Sequence, residues 1–257
     1  MLISVITVSA AWAADEELSA QNPAPIPAHQ ATYDVFFNGK PVGEIHFQLE
    51  KANEAVWYVR TESKATAFLA KTLGSEVTEA SHFYWSRHTT HPKLIPLTYH
   101  HVSKEPLRTR FWQHRIDWQT ATSQTATHEG DEVISLPEGV LDPLTLRLQL
   151  ASDLKHSSAP DLDRHYVVLD RDDIEKQTVL AKGKEQITVE AGCFETHHFY
   201  RFRKEGSSRN YDLWLSPSLY WMPVKMKQTD GSREISIELR QTDLTPSDRA
   251  CVGTAEP

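Results

Sequence analysis

The chain has 257 residues, and 27 Lys and Arg against 35 Asp and Glu leave a formal net charge of −8. That balance excludes the basic footprint of a nucleic-acid binder and the polybasic patch of a membrane-surface protein. Hydrophobic content of 39% and charged content of 24% are those of a globular protein, and 10 Gly are too few for a glycine-rich repeat.

Residues 2–13, LISVITVSAAWA, are apolar or small, Ala11-Trp12-Ala13 is an A-x-A-type cleavage site, and Asp15-Glu16-Glu17 follows. The pattern reads as a secretory signal peptide over 1–14, truncated or starting late because no Lys or Arg precedes it. The competing reading is a buried N-terminal strand, since Val5, Ile6 and Val8 are β-branched. No later apolar run reaches the ~18 residues of a membrane span, so the mature chain is expected not to be transmembrane. Residues 15–30 read as a Pro-rich extended linker, 31–244 as one β-rich domain and 245–257 as a polar tail.

From Ala31 the pattern alternates. Tyr33, Val35 and Phe37 share a face, Asn38-Gly39 signals a turn, and Ile45, Phe47 and Leu49 return. That is a β-hairpin with one wet face. Strand-like runs follow at 56–61, 82–85, 97–102, 109–118, 165–169, 177–181, 186–190, 194–203, 210–215, 224–228 and 234–240, the last two flanking Asp230-Gly231. Two segments break the pattern. Residues 65–73 (ATAFLAKTL) read as a short helix stopped by Gly74. In 142–155 the leucines at 144, 146, 148 and 150 alternate as in a strand, yet Asp142-Pro143 is an N-cap followed by a first-turn proline. Leu and Arg favour helix over strand, so the segment is read as a helix. The expected fold is mainly β: a large antiparallel sheet, curled, barrel-like or spiral, with two short helices. A sheet of a dozen strands must curl, close or split, and curling creates a concave face.

Several phrases occur as an ordered set: Tyr33-Asp34-Val35 with Asn38-Gly39-Lys40-Pro41-Val42-Gly43-Glu44, then 142–150 (DPLTLRLQL), Gly183-Lys184-Glu185 before Glu190-Ala191-Gly192-Cys193-Phe194, Trp214-Leu215-Ser216-Pro217, and Leu219-Tyr220-Trp221-Met222-Pro223-Val224-Lys225. Over 31–244 the chain resembles the bacterial periplasmic family called domain of unknown function 3108. The resemblance implies an exported β-rich envelope protein of a Gram-negative bacterium, without an assigned reaction and with no catalytic residues to carry over. At the level of fold it is similar to curled-sheet periplasmic proteins such as the Lol lipoprotein carriers and spiral-barrel envelope-integrity proteins, a likeness that transfers no function.

Chemistry-bearing patterns are sparse. The 13 His include two adjacent pairs, His100-His101 and His197-His198, whose members point to opposite faces of a strand. There is no His-x-His and no His-Glu-x-x-His, so no metal site is expected. Protonating all 13 would move the formal charge from −8 to +5, which suggests acid-dependent binding or self-association. No Gly-x-Ser-x-Gly elbow, phosphate loop or dinucleotide fingerprint is present, and no cofactor is implied. Cys193 and Cys251, 58 residues apart, either pair in an oxidising compartment or stay as two thiols.

The aromatics remain. Trp57, Trp85, Trp112, Trp118, Trp214 and Trp221 lie on or beside expected strands with Tyr33, Phe47, Tyr58 and Phe83, and each either packs in the core or lines a pocket. Tyr33, Phe47, Tyr58, Trp85, Trp214 and Trp221 are the candidate lining of an apolar concavity. The expected function is non-enzymatic: binding of an apolar small molecule, a lipid or an envelope protein, in support of envelope assembly or integrity. The alternatives are an envelope-modifying hydrolase and a structural partner that pairs through a sheet edge.

Overall fold

The computed structural model describes residues 24–65, 76–86, 92–105, 107–202, 209–247 and 251. The first hairpin forms as its residues dictate. Strands β1 (His29–Phe37) and β2 (Lys40–Lys51) are joined by Asn38 and Gly39, both at positive φ, 46° and 75°. This is the two-residue turn that Asn-Gly favours, because Asn tolerates and Gly readily adopts left-handed backbone. The turn also docks on a distant strand: Asn38 Oδ1 accepts from Glu234 N at 2.8 Å.

The chain continues as β3 (Trp57–Ala65), β4 (Glu76–Ser86), β5 (Lys93–Glu105), β6 (Arg108–Asp117), β7 (Thr122–Thr127) and β8 (Gly130–Ser135). Helix α1 (Pro143–Lys155) follows, then β9 (Arg164–Asp170), β10 (Asp173–Val189), β11 (Gly192–Phe202) and β12 (Arg209–Ser216). A 3₁₀ turn at Pro217–Leu219 leads to β13 (Met222–Asp230) and β14 (Arg233–Thr242). All 14 strands form one antiparallel sheet in the order β8-β7-β6-β5-β4-β3-β2-β1-β14-β13-β12-β11-β10-β9. Two meanders, β1–β8 and β9–β14, are therefore sewn together by the β1–β14 pair. The sheet does not close, and its edges are β8 and β9.

The curl is visible in who touches whom. Leucines of α1 share one buried core with Tyr33 and Phe47 near the middle of the sheet, Tyr99 on one wing, and Val179 and Phe199 on the other. Strands so far apart in the order meet one helix only if the sheet wraps around it. Nine of the 13 residues of α1 are buried, and this accounts for the alternating leucines. A helix buried on nearly all sides needs no amphipathic stripe. Each buried leucine contributes about 1.5–3 kcal/mol of transfer free energy.

The helix start is built as the sequence indicates. Asp142 Oδ1 accepts from the backbone N–H groups of Leu144 and Thr145, each at 2.9 Å, and Asp142 N donates to Thr145 Oγ1 at 2.8 Å. Ser81 on β4 donates to Asp142 Oδ2 at 2.7 Å, so the cap also ties α1 to the sheet. At the other end Gln149 hooks the start of β5, its Oε1 accepting from Leu94 N at 2.6 Å.

Four sequence expectations change. Of the two helices, one is an α-helix; the other expected helix, at 65–73, lies outside the described residues apart from Ala65, which ends β3. The runs at 177–181 and 186–190 are one strand, β10, whose register shifts between Ala181 and Gly183. Strands β7 and β8 were not foreseen, because neither carries an apolar alternation. Residues 24–28 lie against the fold, with Ile26 fully buried. Cys193 and Cys251 form a disulfide, which pins the C-terminal segment to β11. Among the described residues no helix is long and apolar enough to cross a membrane.

Candidate functional site: an apolar cavity beneath the helix

A cavity of about 200 Å³ lies between α1 and the concave face of the sheet. Its lining follows from the two-residue period of strands, which sends alternate side chains to one face. Ile45 and Phe47 come from β2, Thr61 and Ser63 from β3, Val77 and Glu79 from β4, Tyr211 and Leu213 from β12, Ile235 and Ile237 from β14. Helix α1 supplies Leu146, Arg147 and Leu150, and β13 supplies Met222 and Met226. Methionine is unbranched and polarizable, and it suits a wall that adapts to its contents.

The sequence-derived candidates divide. Tyr33 and Phe47 line the cavity. Tyr33 is almost fully buried and donates its hydroxyl to Pro223 O at 3.2 Å. Burial pushes that phenol well above its usual range, against the opposing pull of the Arg147 charge. Trp85 and Trp221 belong to the core but not to the cavity wall: Trp85 packs edge-on against Phe83 at 5.7 Å, and Trp221 packs on His197 at 4.8 Å. Tyr58 and Trp214 fall on the other face of the sheet, out of phase with Thr61 and Leu213. Tyr58 lies on His82 at 4.8 Å, and Trp214 is stacked on His198 at 4.5 Å. A strand aromatic can serve either face, and the sequence does not say which face curls inward.

Two charged groups, Glu79 on β4 and Arg147 on α1, face each other across the region between sheet and helix. Glu79 accepts from the Tyr99 hydroxyl at 2.6 Å and from the Thr61 hydroxyl at 3.3 Å. Nδ1 of His101 stands 3.5 Å from the same carboxylate, and that imidazole is stacked on Trp112 with centroids 3.6 Å apart. Burial pushes the Glu79 carboxyl up, but His101, the Arg147 charge and the Tyr99 hydroxyl together outweigh it and hold the group down at about 2. Glu79 is a carboxylate at any physiological pH. Burial and the Glu79 charge in turn push the Tyr99 phenol up.

Arg147 differs. Between Leu144 and Ser152 it is the one exposed position of α1, and it lines the cavity. The sequence reading passed over it, although a single Arg inside a leucine run is a visible signal. The apolar members from α1, β13 and β14 are aliphatic, and nothing in the sequence separates them from ordinary core residues. No group of three or more His, Cys, Asp or Glu able to hold a metal ion occurs among the described residues.

The outward face carries a second cluster, two of whose members, Asp212 and Lys227, also border the cavity. His198 places Nδ1 3.0 Å from Glu185 and Nε2 2.8 Å from Asp212, and Trp214 donates its indole N–H to Glu185 at 2.9 Å. Lys225 and Lys227 each lie 6.0 Å from the Trp214 ring. Every polar member already has a partner, so this cluster reads as a cross-strand brace.

Solved structures with this architecture include a β-barrel-like protein of domain of unknown function DUF1849 from Brucella abortus. It aligns with a TM-score of 0.55 and 9% identity over 85% of this chain and 98% of that one. At that identity the likeness is one of fold alone. MucB aligns with a TM-score of 0.33 and 8% identity over 94% of this chain and 62% of that one. Comparison with curated proteins gives no significant match. Residues 32–239 match the family model described as protein of unknown function DUF3108. With most of its length matched, the chain belongs to the DUF3108 family.

Proposed function

We propose that this protein is an exported, non-enzymatic binder that takes an apolar ligand into the cavity beneath α1, in the periplasm of a Gram-negative bacterium, and so supports assembly or integrity of the cell envelope. The observation that carries the reading is the cavity itself. A leucine-rich helix and a curled sheet enclose space that their side chains leave unfilled. Protein interiors are packed almost without voids, so an unfilled cavity in a well-packed core calls for an occupant. Its 200 Å³ exceeds the roughly 150 Å³ of an engineered apolar cavity that admits benzene. The driving force is apolar burial at about 25 cal/mol per Å². The signal-like N-terminus and the Cys193–Cys251 disulfide support an oxidising, extracytoplasmic location.

Native mass spectrometry of protein exported to a periplasm, followed by lipid extraction of the same sample, tests this. The expected result is an adduct that extracts as a lipid or acyl chain. A clean apo mass from several preparations, with no binding of added apolar ligands, would overturn it.

A further inference from the structure

The occupant can be narrowed, on the basis of the binding reading above. Arg147 projects from α1 with Leu146 and Leu150 as cavity-lining neighbours. Among the described residues its guanidinium makes no hydrogen bond and closes no ion pair. The other charged groups of the cavity wall are engaged. Glu79 is held by Tyr99 and Thr61, Asp212 by His198, and Lys227 stands 3.9 Å from Glu234. Arg201 lies over the Tyr211 ring at 4.5 Å. Among the described residues Arg147 thus leaves the five N–H donors of its planar fork without a protein partner.

A charge placed against an apolar cavity gains most from a partner that is part of the ligand, because an ionic hydrogen bond is stronger where water is sparse. We propose that the ligand is an amphiphile with one acyl chain and a carboxylate head, the chain lying along Ile45, Phe47 and Ile237 and the head on Arg147. The fork matches a carboxylate in two parallel hydrogen bonds. The Glu79 charge in the same cavity argues for a monoanion over a doubly charged phosphate, since a second negative charge there would be repelled.

The test is calorimetric titration of the full chain, below micellar concentrations, with dodecanoate, dodecanol and dodecyl phosphate. The wild type is expected to bind dodecanoate about tenfold or more tighter than dodecanol, the worth of one charged hydrogen-bonded pair. R147Q is expected to lose that preference chiefly through weaker dodecanoate binding, and R147K to restore part of it. A purely structural role for Arg147 would weaken both ligands together. Equal binding of acid and alcohol by the wild type would overturn the head assignment and leave the apolar cavity reading standing. Tighter binding of dodecyl phosphate than of dodecanoate would overturn the monoanion. Binding of none of the three would overturn both this inference and the function it rests on.

Discussion

Arg147 and Glu79 line the same cavity without closing to an ion pair. Glu79 gives its oxygens to Tyr99 and Thr61, while Arg147 acts on it only through its field and helps to hold the carboxyl at about 2. The opposite charges are thereby separated into a satisfied anion and an available cation. Were they to pair, the cavity would be left with no group to choose among ligands.

The disulfide is expected to matter more to stability than any other single covalent or polar feature. It closes a loop spanning 58 residues, and the chain-entropy relation gives about 4 kcal/mol. Urea unfolding of the wild type against the Cys193→Ser, Cys251→Ser double variant should show a loss of that order. A difference below about 1 kcal/mol would mean that the C-terminal segment is held by its other contacts.

Gly43 on β2 is expected to tolerate no side chain. A Cβ there would clash with the Lys64 carbonyl oxygen on β3, a backbone atom that cannot move aside alone. Gly43→Ala should cost about 1–3 kcal/mol, the range for overpacking, read as a lowered thermal midpoint. An unchanged midpoint would show that the β2–β3 pair can spread there at little cost.

Two buried groups should give stability a pH dependence of opposite signs. Burial lowers His114 from 6.5 to about 4, so between those values the unfolded chain binds the extra proton and acid destabilises. Burial raises Asp142 from 3.8 to about 6 against its capping hydrogen bonds, so over an overlapping window the folded chain binds the extra proton and acid stabilises. Each effect amounts to about 3 kcal/mol at 1.36 kcal/mol per pH unit, and they largely cancel in the wild type. His29, also lowered by burial, adds to the His114 side. Chemical denaturation from pH 6.5 to 4.5 should show D142N losing stability on acidification and H114Q gaining it. Parallel profiles for both variants would contradict the assignment.

Much of this fold was legible in the sequence, for identifiable reasons. The Asn38-Gly39 hairpin, the Asp142-Pro143 helix start and the continuous β pattern each rest on local backbone chemistry. Pairing of Cys193 with Cys251 was one of two open readings, since spacing alone does not bring two chain positions together. The β7–β8 hairpin was illegible: segments such as TSQTAT carry no apolar alternation and are strands because β6 offers them an edge. At the site, Tyr33 and Phe47 were within reach because the wet face of the first hairpin marks its other face as buried. Tyr58 and Trp214 point the other way because alternation gives two faces and sequence does not label the concave one. Arg147 stands out as the one charge in the leucine run, but the run does not say that this position meets a cavity.

The most direct measurement is a crystal structure of the protein purified from an exporting host without delipidation. Elongated density between Leu146 and Leu150 of α1 and Ile45, Phe47 and Ile237 of the sheet, ending at Arg147, is the result expected. A cavity collapsed onto its own side chains, or ligand density only on the outward face over Trp214, would contradict the claim that the space beneath α1 is the binding site.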